Sequence, residues 1–180
     1  MTTLAWGQPL GAVVQFAYVV PDIDDAAARY VEHLNVGPWI VRGPFQPPEG
    51  RYRGRPTAAT FSIAHAFSGG VMIELIQQHD DSPSVFNERD LPERYGFHHW
   101  ARLTGSFDDD LAALVDSGYE EAFSDRLPSG SRIVYVDATR DLAGMIELIE
   151  HTEAQERVYE GFYRAALDWG GGDPVRRDGE

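Results

Sequence analysis

The chain has 180 residues, 43% of them hydrophobic, and a formal net charge of −14, and it contains neither cysteine nor lysine. This length suits one ordinary domain or two small fused modules that share a core, and no apolar run reaches the ~18 residues of a membrane span. The negative net charge disfavours nucleic-acid binding. The absence of cysteine excludes disulfides and cysteine-ligated metals, and the absence of lysine excludes lysine Schiff bases.

The N-terminal residues 1–11 lack the basic start and the apolar stretch of a secretory signal. We therefore predict a cytoplasmic protein. Its expected partner is a small molecule, with neither nucleic acid nor a membrane involved.

The first half begins with a predicted strand at residues 15–19, followed by a helix. Asp22 is suited to cap this helix, and apolar residues recur at spacings of three and four as far as Leu34. Residues 42–56 are rich in proline, glycine and arginine and have no period, which predicts a long loop, either solvated or acting as a lid. Further strands are predicted at 39–41, 60–67 and 71–77.

The second half follows the same order. A predicted strand at residues 99–103 precedes a helix that has Ser106 as its expected N-cap and ends near Gly118. Further strands are predicted at 121–123, 131–137 and 144–150.

An internal repeat relates the two halves, because Met72–Ile76 returns unchanged as Met145–Ile149. The repeat predicts an α+β fold in which two tandem βαβββ modules form a curved mixed sheet around one cleft, with an additional C-terminal helix. The apolar face of that helix suggests a homodimer. The predicted organisation is a first module at 12–77, a linker at 78–96, a second module at 97–150, a C-terminal helix at 151–169 and a disordered tail at 170–180.

Two glutamates, Glu74 and Glu147, occupy equivalent positions in the last strand of each module, among apolar neighbours. Burying an ionised carboxylate without a partner is costly, so a cation is expected between them. Arginines such as Arg102 or Arg132 could supply the positive charge. A metal ion is the alternative.

Gln15 and His99 form a second equivalent pair, in the first strand of each module. If the modules pack about a pseudo-twofold axis, these two side chains converge with the glutamates as oxygen and imidazole donors for a divalent ion: Zn, Ni, Co, Mn or Fe(II). Strand alternation places His98 on the opposite face. His65 and His79 lack repeat partners, and we expect neither to be a ligand.

Arginines cluster in the predicted loop, at positions 42, 51, 53 and 55, and could hold an anionic group of a substrate. Aromatic residues near such a group could cover its apolar part. The predicted substrate contacts are Trp39, Arg51, Arg53 and Tyr135.

The paired modules, with Gln15 and His99 in first strands and Glu74 and Glu147 in last strands, resemble the vicinal oxygen chelate superfamily over roughly residues 12–150. The segment Gly-Phe-His-His-Trp-Ala that ends at position 101 resembles methylmalonyl-CoA epimerases. The ligand identities Gln, Glu, His and Glu resemble glyoxalase I instead.

This resemblance implies a metal-dependent isomerase, epimerase or lyase that removes a proton next to a carbonyl or thioester through a metal-stabilised enolate. It implies Glu147 as the base, with Glu74 as the alternative by symmetry, and a divalent metal held by Gln15, Glu74, His99 and Glu147. Two other functions remain open. One is a metal-dependent dioxygenase of the same fold, and the other is a metal-free protein that sequesters a small molecule.

Overall fold

A computed structural model describes residues 2–88 and 94–177. It contains the predicted βαβββ order twice, with a small hairpin added in the first half and a short helix added in the second. The first half comprises β1 (Val13–Val19), α1 (Ile23–Leu34), β2 (Trp39–Phe45), β3 (Arg51–Tyr52), β4 (Arg55–Pro56), β5 (Phe61–Ser68) and β6 (Val71–Gln78). The second half comprises β7 (Gly96–Thr104), α2 (Phe107–Asp116), β8 (Glu120–Arg126), β9 (Arg132–Asp137), α3 (Thr139–Leu142), β10 (Met145–Glu150), α4 (Glu153–Leu167) and β11 (Val175–Arg177).

The strands form one mixed sheet in the order β11-β2-β5-β6-β1-β7-β10-β9-β8-β3-β4. Strands β1 and β7 pair antiparallel at its centre. Each of them is flanked by the last strand of its own half in a parallel pair, β6 beside β1 and β10 beside β7. The predicted α+β fold with a curved mixed sheet is confirmed, and the first and last strands of both halves meet at one seam.

Helices α1 and α2 cover one face of the sheet, where they pack in two separate apolar clusters. The Asp22 side chain caps α1 by accepting a hydrogen bond from the backbone N–H of Asp25, as predicted. Ser106 occupies the N-cap position of α2, but its side chain makes no capping hydrogen bond.

The opposite face carries the largest apolar cluster, which includes the N-terminal segment and α4. Trp6 contacts Tyr159 of α4 edge to face, with ring centroids 6.1 Å apart. Val158 and Phe162 of α4 belong to the same cluster. The apolar face that suggested a homodimer therefore packs within its own chain, and the homodimer remains a prediction without that support.

The loop prediction for residues 42–56 needs correction. Strand β2 continues to Phe45, and β3 and β4 form a small hairpin whose Tyr52 pairs with Phe123 of β8 in the other half. Arg53 and Gly54 connect its strands with φ angles of 44° and 76°. Two positive φ angles are typical of the tight turns that match the twist of a hairpin.

Two predictions about connecting segments are also changed. The tail from residue 170 was expected to be disordered, but β11 pairs parallel with β2, and Arg177 forms an ion pair with Asp24 at 2.6 Å. Residues 178–180 lie outside the described residues. The predicted linker 78–96 overlaps β6 by one residue, Gln78, and β7 by one residue, Gly96. Its residues 89–93 also lie outside the described residues. No helix in the part of the chain that the structure describes is long and apolar enough to cross a membrane.

Candidate metal and catalytic site

Strand register brings the four predicted site residues together at the seam. Ala17 of β1 is the pairing partner of both Glu74 and His99. Ala101 of β7 is the partner of both Gln15 and Glu147. Because two alanines separate the larger side chains, the glutamine, the histidine and both glutamates can point into the same space.

The four side chains form one buried cluster, with exposed fractions between 0% and 5%. Gln15 Nε2 donates a hydrogen bond to Glu74 Oε2 at 3.0 Å and lies 3.4 Å from His99 Nε2. His99 Nε2 lies 3.4 Å from Glu74 Oε2 and 3.2 Å from Glu147 Oε2. The structure thus brings together all of the residues that the sequence predicted as metal ligands.

Arg102 and Arg132, the two arginines considered for this role from the sequence, pair with carboxylates other than Glu74 and Glu147. Arg102 donates to the carbonyl oxygen of Gly11 and pairs with Asp110. Arg132 pairs with Asp108 and Glu150. Both candidate arginines are therefore engaged with other carboxylates.

The neighbours of His98 determine which nitrogen of His99 carries the hydrogen. The carbonyl oxygen of Val85 lies 3.0 Å from His98 Nε2 and can only accept, so His98 Nε2 carries a hydrogen. In a neutral imidazole the other nitrogen is an acceptor, so His98 Nδ1 accepts from His99 Nδ1 at 2.9 Å. In a neutral His99, the electron pair on Nε2 then faces Glu74 and Glu147.

His98 reaches this position through an irregularity in β7. Ala17 pairs with His99 and Tyr18 pairs with Phe97, so His98 is an extra residue opposite β1. Such a bulge interrupts the alternation of side chains. The prediction that His98 simply occupies the opposite face was wrong for this reason.

The titration properties of the cluster follow from its burial and its like charges. Burial, reinforced by the charge of Glu74, raises the pKa of Glu147 well above its ordinary range. Burial also opposes ionisation of Glu74, but the neighbouring histidines, His65 above all, together outweigh it and lower the pKa of that carboxyl. Burial lowers the pKa of His99 to about 4, against the opposing charge of Glu74. His99 is therefore a neutral imidazole near pH 7.

The donor set fits a divalent cation. Gln15 Oε1 is buried and has no hydrogen-bond partner among the described residues. Turning the amide over would direct this oxygen toward Glu74 and His99 in place of Nε2. Ligands ~2.1 Å from a common ion lie about 3.0 Å apart in octahedral and about 3.4 Å apart in tetrahedral geometry, which matches the spacing of the donors.

The side chains as placed form a hydrogen-bonded cluster. Within residues 2–88 and 94–177, no three histidine, aspartate or glutamate side chains surround a ready-made ion position. Binding an ion would require the Gln15 amide to turn and the contacts of Glu74 and Glu147 with His99 to be replaced by bonds to the ion.

His65 is a member of the site that the sequence reasoning missed. Its Nε2 lies 3.0 Å from Glu74 Oε1, and its ring stacks on Phe162 with a centroid distance of 5.5 Å. The antiparallel register of β5 and β6 pairs His65 directly with Glu74. A pairing of the predicted strands at 60–67 and 71–77 as a tight hairpin would have revealed this contact.

A cavity of about 660 Å³ opens above the cluster. Gln15, Glu74, Glu147 and the predicted substrate contact Tyr135 all line it. Burial, followed by the charges of Glu147 and Glu74, raises the pKa of the Tyr135 hydroxyl well above its ordinary value. Tyr135 is thus positioned at the junction of the cavity and the carboxylates.

The other three predicted substrate contacts lie elsewhere. Trp39 is fully buried beneath α1 on the far side of the sheet, where its Nε1 donates to the carbonyl oxygen of Val36. Arg51 donates to the carbonyl oxygen of Gly54 within the hairpin. Arg53 forms ion pairs with Glu88 and Asp137. Of the arginine cluster, only Arg42 lines the cavity.

Comparison with known families gives a match over most of the chain. The family model described as the Glyoxalase/Bleomycin resistance protein/Dioxygenase superfamily matches residues 14–136. No curated protein matches the sequence at a significant level.

Several solved structures share the fold at low sequence identity. A hypothetical protein from Bacillus halodurans is 18% identical with a TM-score of 0.58, covering 79% of this chain and 96% of its own. A methylmalonyl-CoA epimerase from Mycobacterium tuberculosis is 16% identical with a TM-score of 0.52, and the match covers 87% of this chain and 95% of the epimerase. A methylmalonyl-CoA epimerase in complex with methylmalonyl-CoA and an ammonium ion is 18% identical with a TM-score of 0.53, covering 81% and 98%.

Proposed function

Because the chain belongs to the glyoxalase/bleomycin resistance protein/dioxygenase superfamily, we propose that it is a metal-dependent isomerase or epimerase that removes a proton from a carbon next to a carbonyl or thioester. The observation that carries the proposal is the burial of Glu74, Glu147 and neutral His99 in one cluster with the unpartnered Gln15 Oε1. Glu147 must be ionised to act as a base, and a bound divalent cation would neutralise its charge and that of Glu74, offsetting the effect of burial on Glu147.

Gln15, Glu74, His99 and Glu147 are the residues that would hold the ion. A bound divalent ion would polarise the carbonyl oxygen of the substrate and stabilise the negative charge that develops on it. The mixed oxygen and nitrogen donors suit Zn, Ni, Co, Mn or Fe(II).

Glu147 is the proposed base, with Glu74 as the alternative. A carboxylate oxygen takes the proton from the carbon, and the electrons of the broken C–H bond move into an enolate. A proton delivered to the opposite face of the same carbon, from a second acid such as the other carboxyl or water, gives an epimer. Where the reacting carbon carries a hydroxyl, the intermediate is an enediolate, and a proton delivered to the neighbouring carbon gives an isomer. Tyr135, the strand-pairing neighbour of Glu147, lines the same cavity and lies beside this carboxyl.

The substrate is a small carbonyl compound or thioester. One structural relative is described in complex with methylmalonyl-CoA, which makes this thioester a suitable first probe. An α-hydroxyketone such as acetoin is a second probe, because its adjacent oxygens can chelate a metal ion.

The proposal is tested by elemental analysis of the purified protein and by proton NMR of deuterium uptake into methylmalonyl-CoA and acetoin. We expect near-stoichiometric metal and exchange at the carbon next to the carbonyl. Glu147→Gln should reduce exchange by about a hundredfold or more, as expected for loss of a general base. Glu121→Gln, the same change at an exposed strand position, is the control.

Absence of metal after reconstitution would overturn the proposal and favour a protein that only binds a small molecule. Metal retention with full exchange in Glu147→Gln would instead transfer the role of base to Glu74.

A further inference from the structure

Helix α4 supplies a wall of the cavity from outside the part of the chain that the family model matches. The match ends at residue 136, whereas α4 spans Glu153–Leu167. Val158 and Tyr159 of α4 line the cavity. Phe162, one turn further along, stacks on His65 with an interplanar angle of 17°. The helix is therefore held against the site by the same histidine that contacts Glu74.

Part of the cavity wall is apolar and rich in rings. Phe45 and Phe61 meet edge to face with centroids 4.9 Å apart, and Phe61 meets Phe86 in the same way at 5.3 Å. All three line the cavity, as does Phe123 from the second half. Edge-to-face arrangements of this kind are favourable for a further aromatic ring placed among them.

The size of the cavity distinguishes between substrates. Its volume of about 660 Å³ lies within the range typical of sites for drug-sized ligands. A carbonyl compound of three or four carbons would leave most of the aromatic wall in contact with water, whereas a ring-bearing compound would bury that wall. The reacting carbons of such a compound would then lie next to the polar groups Glu74, Glu147 and Tyr135.

We propose that the substrate is a carbonyl compound whose non-reacting part carries at least one aromatic or comparably large apolar ring, and that α4 selects it through Val158 and Tyr159. This inference rests on the proposed function for the location of the reacting carbons. It adds the class of group that the cavity accepts.

Acetoin and benzoin form a matched pair of probes, because benzoin has the same hydroxyketone core with phenyl groups in place of both methyl groups. We expect isothermal calorimetry on the metal-loaded protein to show benzoin binding at least about tenfold more tightly than acetoin, since added apolar groups in a fitted pocket have effects of this size. Deuterium uptake next to the carbonyl, measured on the same samples, reports the chemistry separately.

Val158→Trp tests the role of α4, because the larger side chain would fill the space proposed for the ring. We expect benzoin affinity to fall about tenfold or more while acetoin affinity changes less than about twofold. Leu167→Trp introduces the same residue at an exposed position of the same helix. It is the control for effects on α4 itself and should leave both affinities unchanged.

The outcomes separate this inference from the proposed function. Tight benzoin binding without deuterium uptake supports the ring-bearing class and contradicts the proton transfer. Deuterium uptake from acetoin without preferential benzoin binding supports the proton transfer and overturns the ring-bearing class. Binding of neither probe, or equal losses in Val158→Trp and Leu167→Trp, also overturns the inference.

Discussion

At the scale of single residues, His98 links a backbone carbonyl to the site. Its Nε2 faces the Val85 carbonyl oxygen, and its Nδ1 lies 2.9 Å from His99 Nδ1. The Val85 carbonyl orients His98, and a neutral His98 leaves the electron pair of His99 on Nε2. This is the tautomer that can bind a metal ion. His98 is thus a positioning residue that acts through His99.

Substitution of His98 tests this role. His98→Asn retains an acceptor near the original Nδ1, whereas His98→Leu removes it. We expect zinc affinity to fall by about 10–100-fold in His98→Leu, as for other residues that orient metal ligands, and to fall less in His98→Asn. Nitrogen NMR of the metal-free proteins should show the Nδ1–H tautomer of His99 in wild type and His98→Asn and a tautomer mixture in His98→Leu. Equal zinc affinity and unchanged tautomers in all three proteins would contradict the role.

The sequence predicted the site unevenly at this scale. The sequence repeat was enough to find four site residues: Gln15, Glu74, His99 and Glu147. The repeat places them at equivalent positions in the two halves, so they could be predicted to meet without knowledge of any side-chain contact. His65 has no repeat partner, and only the register of two adjacent strands places it against Glu74.

At the scale of elements, α4 depends on its first turn for its position above the cavity. The Thr152 side chain accepts a hydrogen bond from the backbone N–H of Gln155 and also bonds the Ser131 hydroxyl at 2.8 Å. These contacts connect the start of the helix to the loop before β9. The cap therefore stabilises both the helix and one wall of the site.

Removal of this cap should measurably destabilise the protein. Thr152→Ala is expected to lower the free energy of unfolding by about 1 kcal/mol, a typical cost for a lost N-cap. Ser106→Ala is the matched control, since Ser106 occupies the N-cap position of α2 without a capping hydrogen bond, and it should have almost no effect. Urea unfolding followed by circular dichroism measures both. Similar losses in the two variants would argue against a specific role for the Thr152 cap.

Elements with a strong period were predictable, and short elements were not. Helix α1 could be located from its capping residue and its apolar spacing. The β3–β4 hairpin has strands of two residues, too short for alternation to be visible, and its turn uses Arg53-Gly54 in place of the commoner Asn-Gly. The ion pairs of Arg53 with Glu88 and Asp137 hold this turn in place and connect residues that are distant in the sequence.

At the scale of the whole molecule, the proposed metal ligands come equally from both halves, Gln15 and Glu74 from the first and His99 and Glu147 from the second. An ion at the seam would therefore favour the state in which both halves are folded and paired. Ligands that bind only the native state stabilise it by mass action.

Zinc should therefore stabilise the metal-free protein against thermal unfolding. At about a hundredfold excess over the dissociation constant, the expected stabilisation is about 2.7 kcal/mol, or roughly 5–10 °C in melting temperature for a chain of this size. Differential scanning calorimetry should show this increase in wild type and in His33→Ala, which lacks an exposed histidine, and no increase in His99→Ala. A zinc-dependent increase of equal size in His99→Ala would show that the stabilising ion binds elsewhere.

The two ends of the strand order determine how a second copy of the chain could associate. At one end β11 pairs with the first three residues of β2, and at the other β3 pairs with two residues of β8 while β4 lies outside β3. The outermost strands, β11 and β4, are therefore only three and two residues long, and short edge strands are one way in which β proteins limit edge-to-edge aggregation. If the predicted homodimer forms, we expect its subunits to meet through helices, loops or faces of the sheet.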